Sequence, residues 1–331
     1  MTGQPYNPTG DYQPRSTISL PVLYAWPPKP LAILKYLLVD MMFPWNYLFV
    51  ALAVVCWAWF TPAMSTMANF EFGWIAALWL RNAAVLTLVA GGLHWWLYMR
   101  KRQGQDYKFH RRWMATDNDK FLWGDQVKDN LFWCFASGVT TATAFEAITY
   151  WLYANGHVVT TPLVSHPLYL VASVYGVFFL GTIHFYLIHR LEHWPPLYRV
   201  AHELHHRNLN TGPWTGISMH PVEHLMYFSV IALTWIIPVH PVIIVLVTLW
   251  FVASPSTSHC GFDYIKVGRF RISTGDWFHQ LHHQYFDLNY GNTPTPLDRV
   301  FGSWHDGSKE SLMAQKNRAK LRRKAKAGAV S

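Results

Sequence analysis

Residues 168–206 read LYLVASVYGVFFLGTIHFYLIHRLEHWPPLYRVAHELHH, an apolar run that passes directly into two histidine-rich boxes. The part from 168 to 188 carries no Asp, Glu, Lys or Arg. A helix needs about 20 apolar residues to cross the hydrocarbon core of a bilayer. The stretch therefore predicts a transmembrane helix that presents histidines at the membrane surface where it ends.

Other apolar segments extend this prediction along the chain. Segments 43–60, 74–99 and 131–153 are also long enough to span, and only 14% of all residues are charged, against about 25% in soluble domains. Region 225–254 is interrupted at Pro238-Val239-His240-Pro241, which leaves arms of roughly 13 residues, or about 20 Å. We expect an all-α integral membrane protein with about four transmembrane helices, a short membrane-dipping helical hairpin and a histidine-rich helical cap.

The distribution of positive charge predicts sidedness and domain organisation. Segment 99–112 carries six Lys/Arg, whereas 61–73 and 154–167 carry none, so both termini and the cap are predicted to be cytoplasmic. We divide the chain into an N-terminal cytoplasmic segment (1–42), transmembrane helices (43–179), a histidine-box catalytic domain (180–307) and a basic, disordered tail (308–331). The N-terminal segment lacks the pattern of a cleaved signal peptide.

The basic tail leaves two interpretations open. From Lys309 onward there are eight Lys/Arg and one acid, which suits either anionic lipid headgroups or a solvated end. Nucleic acid is not expected, because no recognition module accompanies the charge. The three cysteines lie far apart, which predicts a reducing compartment without disulfides.

The histidines are strongly clustered. Thirteen of the 18 lie between residues 184 and 283, in the boxes HRLEH, HELHH, HPVEH and HQLHH and at three further positions. Spacings of three and four residues put pairs on one face of a helix. Eight to ten clustered imidazoles exceed the roughly four ligands that one zinc ion takes, so the boxes predict two metal ions.

The residues alone do not choose the metal, since imidazole suits iron, zinc, copper and nickel. A site at the membrane face favours chemistry on a lipid tail, and attack on an unactivated C–H bond with dioxygen requires iron; zinc could occupy purified material. A di-zinc membrane hydrolase and a membrane metal transporter remain alternatives, although a transporter should hold its ligands near the middle of the membrane. No nucleotide fingerprint is present, so electrons must come from a partner.

Residues 180–307 resemble the fatty acid hydroxylase/sterol desaturase superfamily. The resemblance rests on HRLEH, HELHH, HPVE, His259, and HQLHHQYFDLNYG followed by PLDRVFGSWHDG. It implies two irons, dioxygen as co-substrate, a lipid substrate and an external donor such as a b-type cytochrome or a ferredoxin with its reductase. The implied metal ligands are His189, His193, His202, His205, His206, His259, His279, His282 and His283.

Four more residues are candidates for additional ligands or for hydrogen bonds to ligands. They are His184, His220, His224 and Asp263, the last of which stands where fatty acid hydroxylases carry a histidine. We expect Asn289-Tyr290-Gly291 to be a turn in which Gly291 adopts a positive φ. The sequence leaves open hydroxylation against desaturation, and a sterol, sphingoid base, fatty acyl chain, carotenoid or ether lipid as substrate.

Two of the predicted spans each contain a charged residue. Arg81 lies seven residues into the second span and Glu146 eight residues from the end of the third, at depths of about 11 and 12 Å. An unpaired charge costs at least about 2.5–3.5 kcal/mol at the centre of a membrane helix. We therefore predict an ion pair between them.

Overall fold

The computed structural model describes residues 6–7, 10–161 and 166–317. Helices dominate this part of the chain. They are α1 (Pro30–Lys35, continued by the π-helical turn Tyr36–Asp40), α2 (Trp45–Phe60), α3 (Phe72–Met99), α4 (Gln126–Ala154), α5 (Pro167–Glu192), α6 (Pro195–Leu197, Tyr198–His202 and Glu203–His206), α7 (Pro221–Phe228, continued by the 3-10 helix Ser229–Trp235), α8 (Pro241–Ala253), α9 (Pro255–Ser258), α10 (Trp277–Tyr285), α11 (Leu297–Val300) and α12 (309–317). Strands β1 (Tyr264–Val267) and β2 (Phe270–Ser273) form an antiparallel hairpin in which Tyr264 faces Ser273.

Four helical stretches among the described residues are long and apolar enough to cross a membrane. They are α3, α4, α5 and the stretch Pro241–Ser258, which joins α8 to α9. The predicted spans 74–99, 131–153 and 168–188 lie inside α3, α4 and α5, so the all-α integral membrane class is confirmed. Helix α5 begins with Pro167 in its first turn, where the missing amide hydrogen of proline costs nothing.

The first predicted span differs from the structure. Helix α2 has 16 residues and qualifies as a span only together with α1, to which it is bent by 56°. The break falls at Pro44, which has no amide hydrogen to continue a helix. The segment 1–42 therefore contains a helix, and its apolar side chains, such as Leu31 (84% exposed), are available to lipid.

The predicted hairpin is present, and its second arm is longer than the sequence indicated. At its tip, Val239 pairs with Thr160, and the Tyr169 hydroxyl donates to the Pro238 carbonyl at 2.7 Å. Residues 155–161 follow α4 at the end of the bundle predicted to be lumenal. The second arm continues through α9 to Ser258, and its 18 residues cover about 27 Å. The tip therefore lies beside the residues that follow α4, and its depth in the membrane stays a prediction.

Helix α8 occupies the centre of the bundle. In the stretch Pro241–Ser258, which α8 begins, 78% is buried inside the protein, compared with 28–44% for the other three spans. The reason is its position, since α2, α3, α4, α5 and the other hairpin arm all pack around it. Its C-terminal end therefore sets the place of α9 and of His259 beyond it.

The predicted ion pair joins α3 to α4. Nη2 of Arg81 lies 2.5 Å from both carboxylate oxygens of Glu146, and both side chains are buried. Asn82 donates to the same carboxylate at 3.0 Å, and Arg81 also donates to the Thr61 hydroxyl. The two charges thus neutralise each other inside the bundle, as an intramembrane pair requires.

The cap is assembled from segments distant in sequence. Lys108, in the loop between α3 and α4, pairs with Phe262 just before β1. The Tyr12 hydroxyl donates to the Asp263 carboxylate at 2.9 Å, and the Ile18 amide donates to the Asp306 carbonyl. These contacts place the basic loop and the N-terminal segment on the same end of the bundle as the histidine boxes.

Candidate metal centre

Helix geometry brings the histidine boxes together. His189 lies in the last turn of α5 and His193 follows four residues later, so both imidazoles leave the helix on one side. Helices α6 and α10 each carry an HxxHH box, and His259 follows α9. The Asp276 carboxylate accepts hydrogen bonds from the first amides of α10, which fixes where that helix begins.

The nine predicted ligands form two groups. Group A contains His189, His193, His202, His206 and His282, and group B contains His205, His259, His279 and His283. Within each group the candidate ligand atoms all lie within 4.8 Å of one another. Adjacent histidines of the HxxHH boxes go to different groups because consecutive helical residues project about 100° apart.

The Nε2 atoms in each group converge at short distances. In group A, His206 and His282 are 3.0 Å apart, and His193 lies 3.1 and 3.2 Å from them. A neutral imidazole has only one N–H, so hydrogen bonds cannot explain three mutually close nitrogens. Ligands about 2.1 Å from a metal are roughly 3.0 Å apart at right angles and roughly 3.4 Å apart in a tetrahedron. The observed distances of 3.0–3.2 Å fall in the range expected of nitrogen ligands around one metal ion.

The other ring nitrogen of several histidines is held by a hydrogen bond. Nδ1 of His189 donates to the Tyr290 carbonyl at 2.5 Å and Nδ1 of His282 to the Leu288 carbonyl at 2.6 Å. In group B, Nδ1 of His259 donates to the Pro255 carbonyl at 3.0 Å. Such bonds place the proton on Nδ1 and leave the Nε2 lone pair directed at a metal.

Burial and protonation fit the same role. Burial lowers the pKa of His205 to about 4 and that of His259 to about 3, so both are neutral near pH 7 and keep the lone pair that ligation needs. Among the described residues, the buried Nε2 atoms of His189, His202 and His283 have no hydrogen-bond partner. These residues therefore fit two metal ions.

A cavity of about 200 Å³ borders both groups. His189 and His202 of group A and His205 and His259 of group B lie on its wall. Apolar and aromatic side chains complete the wall and extend it to α2, α5, α7 and α8; they include Trp45, Phe49, Phe185, Tyr227, Trp250 and Phe251. The cavity thus connects the histidines with the helices that face the bilayer.

Comparison with known proteins agrees with this geometry. Residues 174–303 match the fatty acid hydroxylase family. A Delta(7)-sterol 5(6)-desaturase of Saccharomyces cerevisiae is 33% identical over 140 residues, which cover 41% of this chain and 36% of that protein. The corresponding enzyme of Eremothecium gossypii is 29% identical over 149 residues, 43% of this chain and 40% of that protein. Residues 174–303 belong to the fatty acid hydroxylase/sterol desaturase superfamily.

The shared region is limited to part of each protein. The chain spans about two fifths of the length of these curated relatives. No solved structure matches the chain significantly. The superfamily assignment therefore concerns the region that contains the two histidine groups.

Within this superfamily domain, two carboxylates were missed by the sequence analysis. Nδ1 of His202 donates to Glu223 Oε1 at 2.8 Å and lies 3.8 Å from Glu192 Oε2. Both glutamates are buried and line the cavity. Each stands inside a histidine box, HRLEH and HPVEH, and a buried carboxylate that orients a ligating histidine is a recurrent arrangement. That signal was available in the sequence.

The four additional candidates lie outside both groups in the described structure. His184 Nε2 contacts the Ser229 hydroxyl at 2.9 Å, and His220 accepts from the Val222 amide at the start of α7. His224 uses both ring nitrogens, toward the Ser137 hydroxyl and the Ile217 carbonyl. Asp263 faces Tyr12. None of these contacts involves a residue of either group, so a role of these four residues at the metal centre stays a prediction.

The superfamily motif NYG forms a turn whose details differ from expectation. Asn289 has the positive φ of 53°, whereas Gly291 does not. A Cβ at Gly291 would lie 3.0 Å from the Tyr186 ring and 3.2 Å from the Asp298 carboxylate, so a larger residue would crowd this turn. The Asp298 carboxylate accepts from the Tyr290 and Gly291 amides at 2.9 and 2.7 Å. The turn thereby holds the carbonyls that fix His189 and His282.

Proposed function

We propose that this chain is a dioxygen-dependent di-iron enzyme of the membrane that hydroxylates or desaturates an aliphatic carbon of a lipid. The observation that carries the proposal is the pair of histidine groups on the wall of one cavity that extends to the membrane helices. The curated relatives are named as sterol desaturases. A sterol is therefore the first substrate class to assay.

Group A would hold one iron through five imidazoles and group B the other through four. Bound iron supplies the reduction of dioxygen and the oxidation of an unactivated C–H bond, and zinc can replace it during purification. The chain itself supplies the positions of the imidazoles. The carbonyls of Leu288, Tyr290 and Pro255 and the Glu223 carboxylate hold the Nδ1 protons.

The cavity supplies the place for the lipid. Phe185, Tyr227 and Phe251 give its wall an apolar character next to the histidines. A hydrocarbon chain or ring in this space would displace water and bring one carbon near both groups. Positioning on the ångström scale then decides whether one hydrogen or two are removed from the substrate.

Electrons are proposed to come from a separate protein, a b-type cytochrome or a ferredoxin with its reductase. Hydroxylation consumes one dioxygen, two electrons and two protons and yields an alcohol and water. Desaturation consumes the same reactants and yields an alkene and two waters. We further propose that the centre faces the cytoplasm, as the basic loop 99–112 predicts.

Iron content and oxygen uptake test the proposal together. Purified protein loaded anaerobically with ferrous iron should hold two irons per chain and should consume dioxygen with a chemical reductant and sterol present. Under labelled dioxygen, an alcohol product should carry one labelled oxygen. The His157→Ala variant, which alters an exposed histidine at the opposite end of the bundle, should behave as the parent.

The same assay separates the alternatives. A di-zinc hydrolase would consume no dioxygen, and its product would take oxygen from water. A metal transporter would move its ion across the membrane of proteoliposomes. All four histidines of group B, however, lie outside the four helices that are long and apolar enough to cross a membrane. Full activity with zinc alone would reject the redox proposal.

A further inference from the structure

A second cavity, of about 190 Å³, lies between α5, α8 and the 3-10 helix Ser229–Trp235. Both α5 and the stretch that begins with α8 are long and apolar enough to cross a membrane, so the cavity belongs to the membrane part of the protein. No charged residue of the described chain lines it. Its wall includes Gly176, Val177, Val230, Ile243 and Val247. We name it the α5–α8 cavity.

The hydroxyl groups on this wall already donate hydrogen bonds to the backbone. Tyr169 donates to the Pro238 carbonyl at 2.7 Å, and Ser173 donates to the Tyr169 carbonyl at 2.8 Å. Thr234 donates to the Ile231 carbonyl at 2.7 Å. A buried water molecule needs several polar partners, and burying any polar group without a partner is unfavourable. The α5–α8 cavity therefore suits hydrocarbon.

The α5–α8 cavity lies end to end with the cavity that borders both histidine groups, which we name the histidine cavity. On α5, Gly181 lines the α5–α8 cavity and Phe185, four residues later, lines the histidine cavity. On α8, Val247 and Phe251 do the same. Residues four apart share one face of a helix, so both cavities follow the same two helix faces. Gly181 lies about 12 Å along α5 from His189.

The partition between the two cavities is made of side chains packed on Gly181. A Cβ at Gly181 would lie 2.9 Å from the Trp250 ring and 3.0 Å from the Phe251 ring, so both rings contact the glycine backbone closely. Both rings also line the histidine cavity. A partition of this kind opens by a change of rotamer, without movement of a helix.

The histidine cavity alone is small for a lipid. Its volume is about 200 Å³, whereas pockets that enclose a small organic ligand typically measure roughly 300–1,000 Å³. A lipid with one carbon beside the histidines must therefore extend beyond this cavity. The α5–α8 cavity is an adjoining apolar space, and it leads from Gly181 to Tyr169, near the start of α5.

We propose that the α5–α8 cavity holds the apolar tail of the lipid substrate, which reaches it from the histidine cavity past Gly181. This rests on the proposed function. A hydrocarbon tail in this space gains van der Waals contacts with the wall. The tail lies deeper in the membrane than the histidines, so the polar end of the lipid stays near the membrane surface. The oxidised carbon is therefore nearer to the polar end of the substrate than to the end of its tail.

The first test locates the tail and does not depend on turnover. Iron-loaded protein in nanodiscs is photolabelled with a sterol that carries a diazirine at the end of its side chain, and in parallel with a fatty acid that carries one at its methyl end. At least one probe should attach to residues 172–181 or 243–247, and the unlabelled lipid should compete. The same lipid with its diazirine beside the polar group should attach at the histidine cavity instead.

A matched pair of variants makes the labelling specific. A Cβ at Gly176 would have no atom within 4 Å, so the ring in Gly176→Phe can extend into the α5–α8 cavity without displacing the backbone. This variant should lose most of the tail labelling. Gly92→Phe changes an exposed glycine of α3 that also has no atom within 4 Å of its Cβ position, and it should be labelled like the parent.

The second test measures the preference for long tails. Each lipid that the parent oxidises is paired with an analogue whose tail is shorter by several carbons. The parent should favour the long lipid about tenfold or more in kcat/KM, because contacts of a few methylenes in an apolar pocket are worth at least that much. Gly176→Phe should bring the two values close together by lowering that of the long lipid. Gly181→Ala, whose methyl group presses on the Trp250 ring, should act in the same direction, with two irons per chain in each variant.

Ordinary bilayer lipid is the alternative occupant, since Leu180 on the cavity wall is 41% exposed. A phosphatidylcholine with a diazirine at the end of one acyl chain tests this. Labelling of the α5–α8 cavity by this probe that neither unlabelled sterol nor fatty acid displaces would reject the proposal.

The remaining outcomes separate this proposal from the proposed function. Unchanged tail labelling and an unchanged preference for long tails in Gly176→Phe would reject the tail site, and oxygen uptake by the parent would then still support the function. Competed tail labelling without oxygen uptake on any lipid would reject the function alone, and the cavity would remain a binding site for the tail of that lipid.

Discussion

In each HxxHH box, the two adjacent histidines belong to different groups. His282 belongs to group A and its neighbour His283 to group B, so each alanine substitution should weaken one metal site and spare the other. We expect His282→Ala and His283→Ala each to bind about one iron per chain and to lose turnover. His224→Ala, which alters a buried histidine outside both groups, should retain two irons. Elemental analysis after anaerobic loading measures the iron content of each variant. Two tightly bound irons in His282→Ala would contradict the assignment of His282 to a metal site.

Glu223 contacts group A through His202. Its carboxylate accepts the Nδ1 proton at 2.8 Å, and loss of such an orienting partner typically lowers metal affinity about 10- to 100-fold. Glu223→Gln should therefore release one iron more readily to a chelator while the other remains bound. Glu203→Gln changes an exposed glutamate of α6 and serves as the matched control. Identical chelation kinetics in both variants would show that Glu223 does not position His202.

At the level of elements, the ion pair between α3 and α4 was predictable because each charge lay at a similar depth in an otherwise apolar span. Arg81→Leu and Glu146→Leu should each lower thermal stability, since an unpaired charge in a span costs at least about 2.5–3.5 kcal/mol. The double variant should recover part of the loss, because it leaves no lone charge. Thermal unfolding in detergent measures the three variants. Strictly additive losses would indicate that the pair contributes no coupling.

The hairpin arms were less predictable than the ion pair. The apolar residues on each side of Pro238–Pro241 predicted arms too short to cross the membrane. This prediction did not include α9, which extends the second arm. Nor could it show that α8 is enclosed by other helices. Burial inside a bundle and contact with lipid both require apolar side chains, so composition alone does not separate a central helix from a lipid-facing one.

The depth of the hairpin gives a direct prediction. Ile236, beside the tip, is 82% exposed, and Thr160 pairs with Val239 at the same end. Ile236→Cys and Thr160→Cys should therefore react with a membrane-impermeant thiol reagent from the same side. Lys120→Cys, in the loop between α3 and α4, should react only from the other side. The three native cysteines are buried and should give little background labelling. Labelling of Ile236→Cys and Lys120→Cys from the same side would indicate that the hairpin does not reach the far side of the membrane.

For the whole molecule, the histidine boxes predicted which imidazoles come together in the candidate metal centre, but not their division into two groups. The boxes specify which residues carry imidazoles, and helix periodicity specifies which of them share a face. Which helix faces meet is decided by packing around α8 and by the turn at Asn289, whose positive φ was not expected. Glu223 was not predicted, although it stands inside the box HPVEH.

The two ends of the molecule differ in charge, and this predicts how it sits in the membrane. Segments 61–71, 154–161 and 236–240 contain no Lys or Arg, and contacts gather them at one end: Asn155 donates to the Ala68 carbonyl, and Thr160 pairs with Val239. The basic loop packs at the other end, where Lys108 pairs with Phe262 near the histidine groups. Since Lys and Arg are retained on the cytoplasmic side, glycosylation acceptors placed in 154–161 should be modified in a eukaryotic host. Acceptors placed in 113–120 should stay unmodified, and the reverse pattern would put the histidine groups on the lumenal side, where a cytoplasmic electron donor could not reach them.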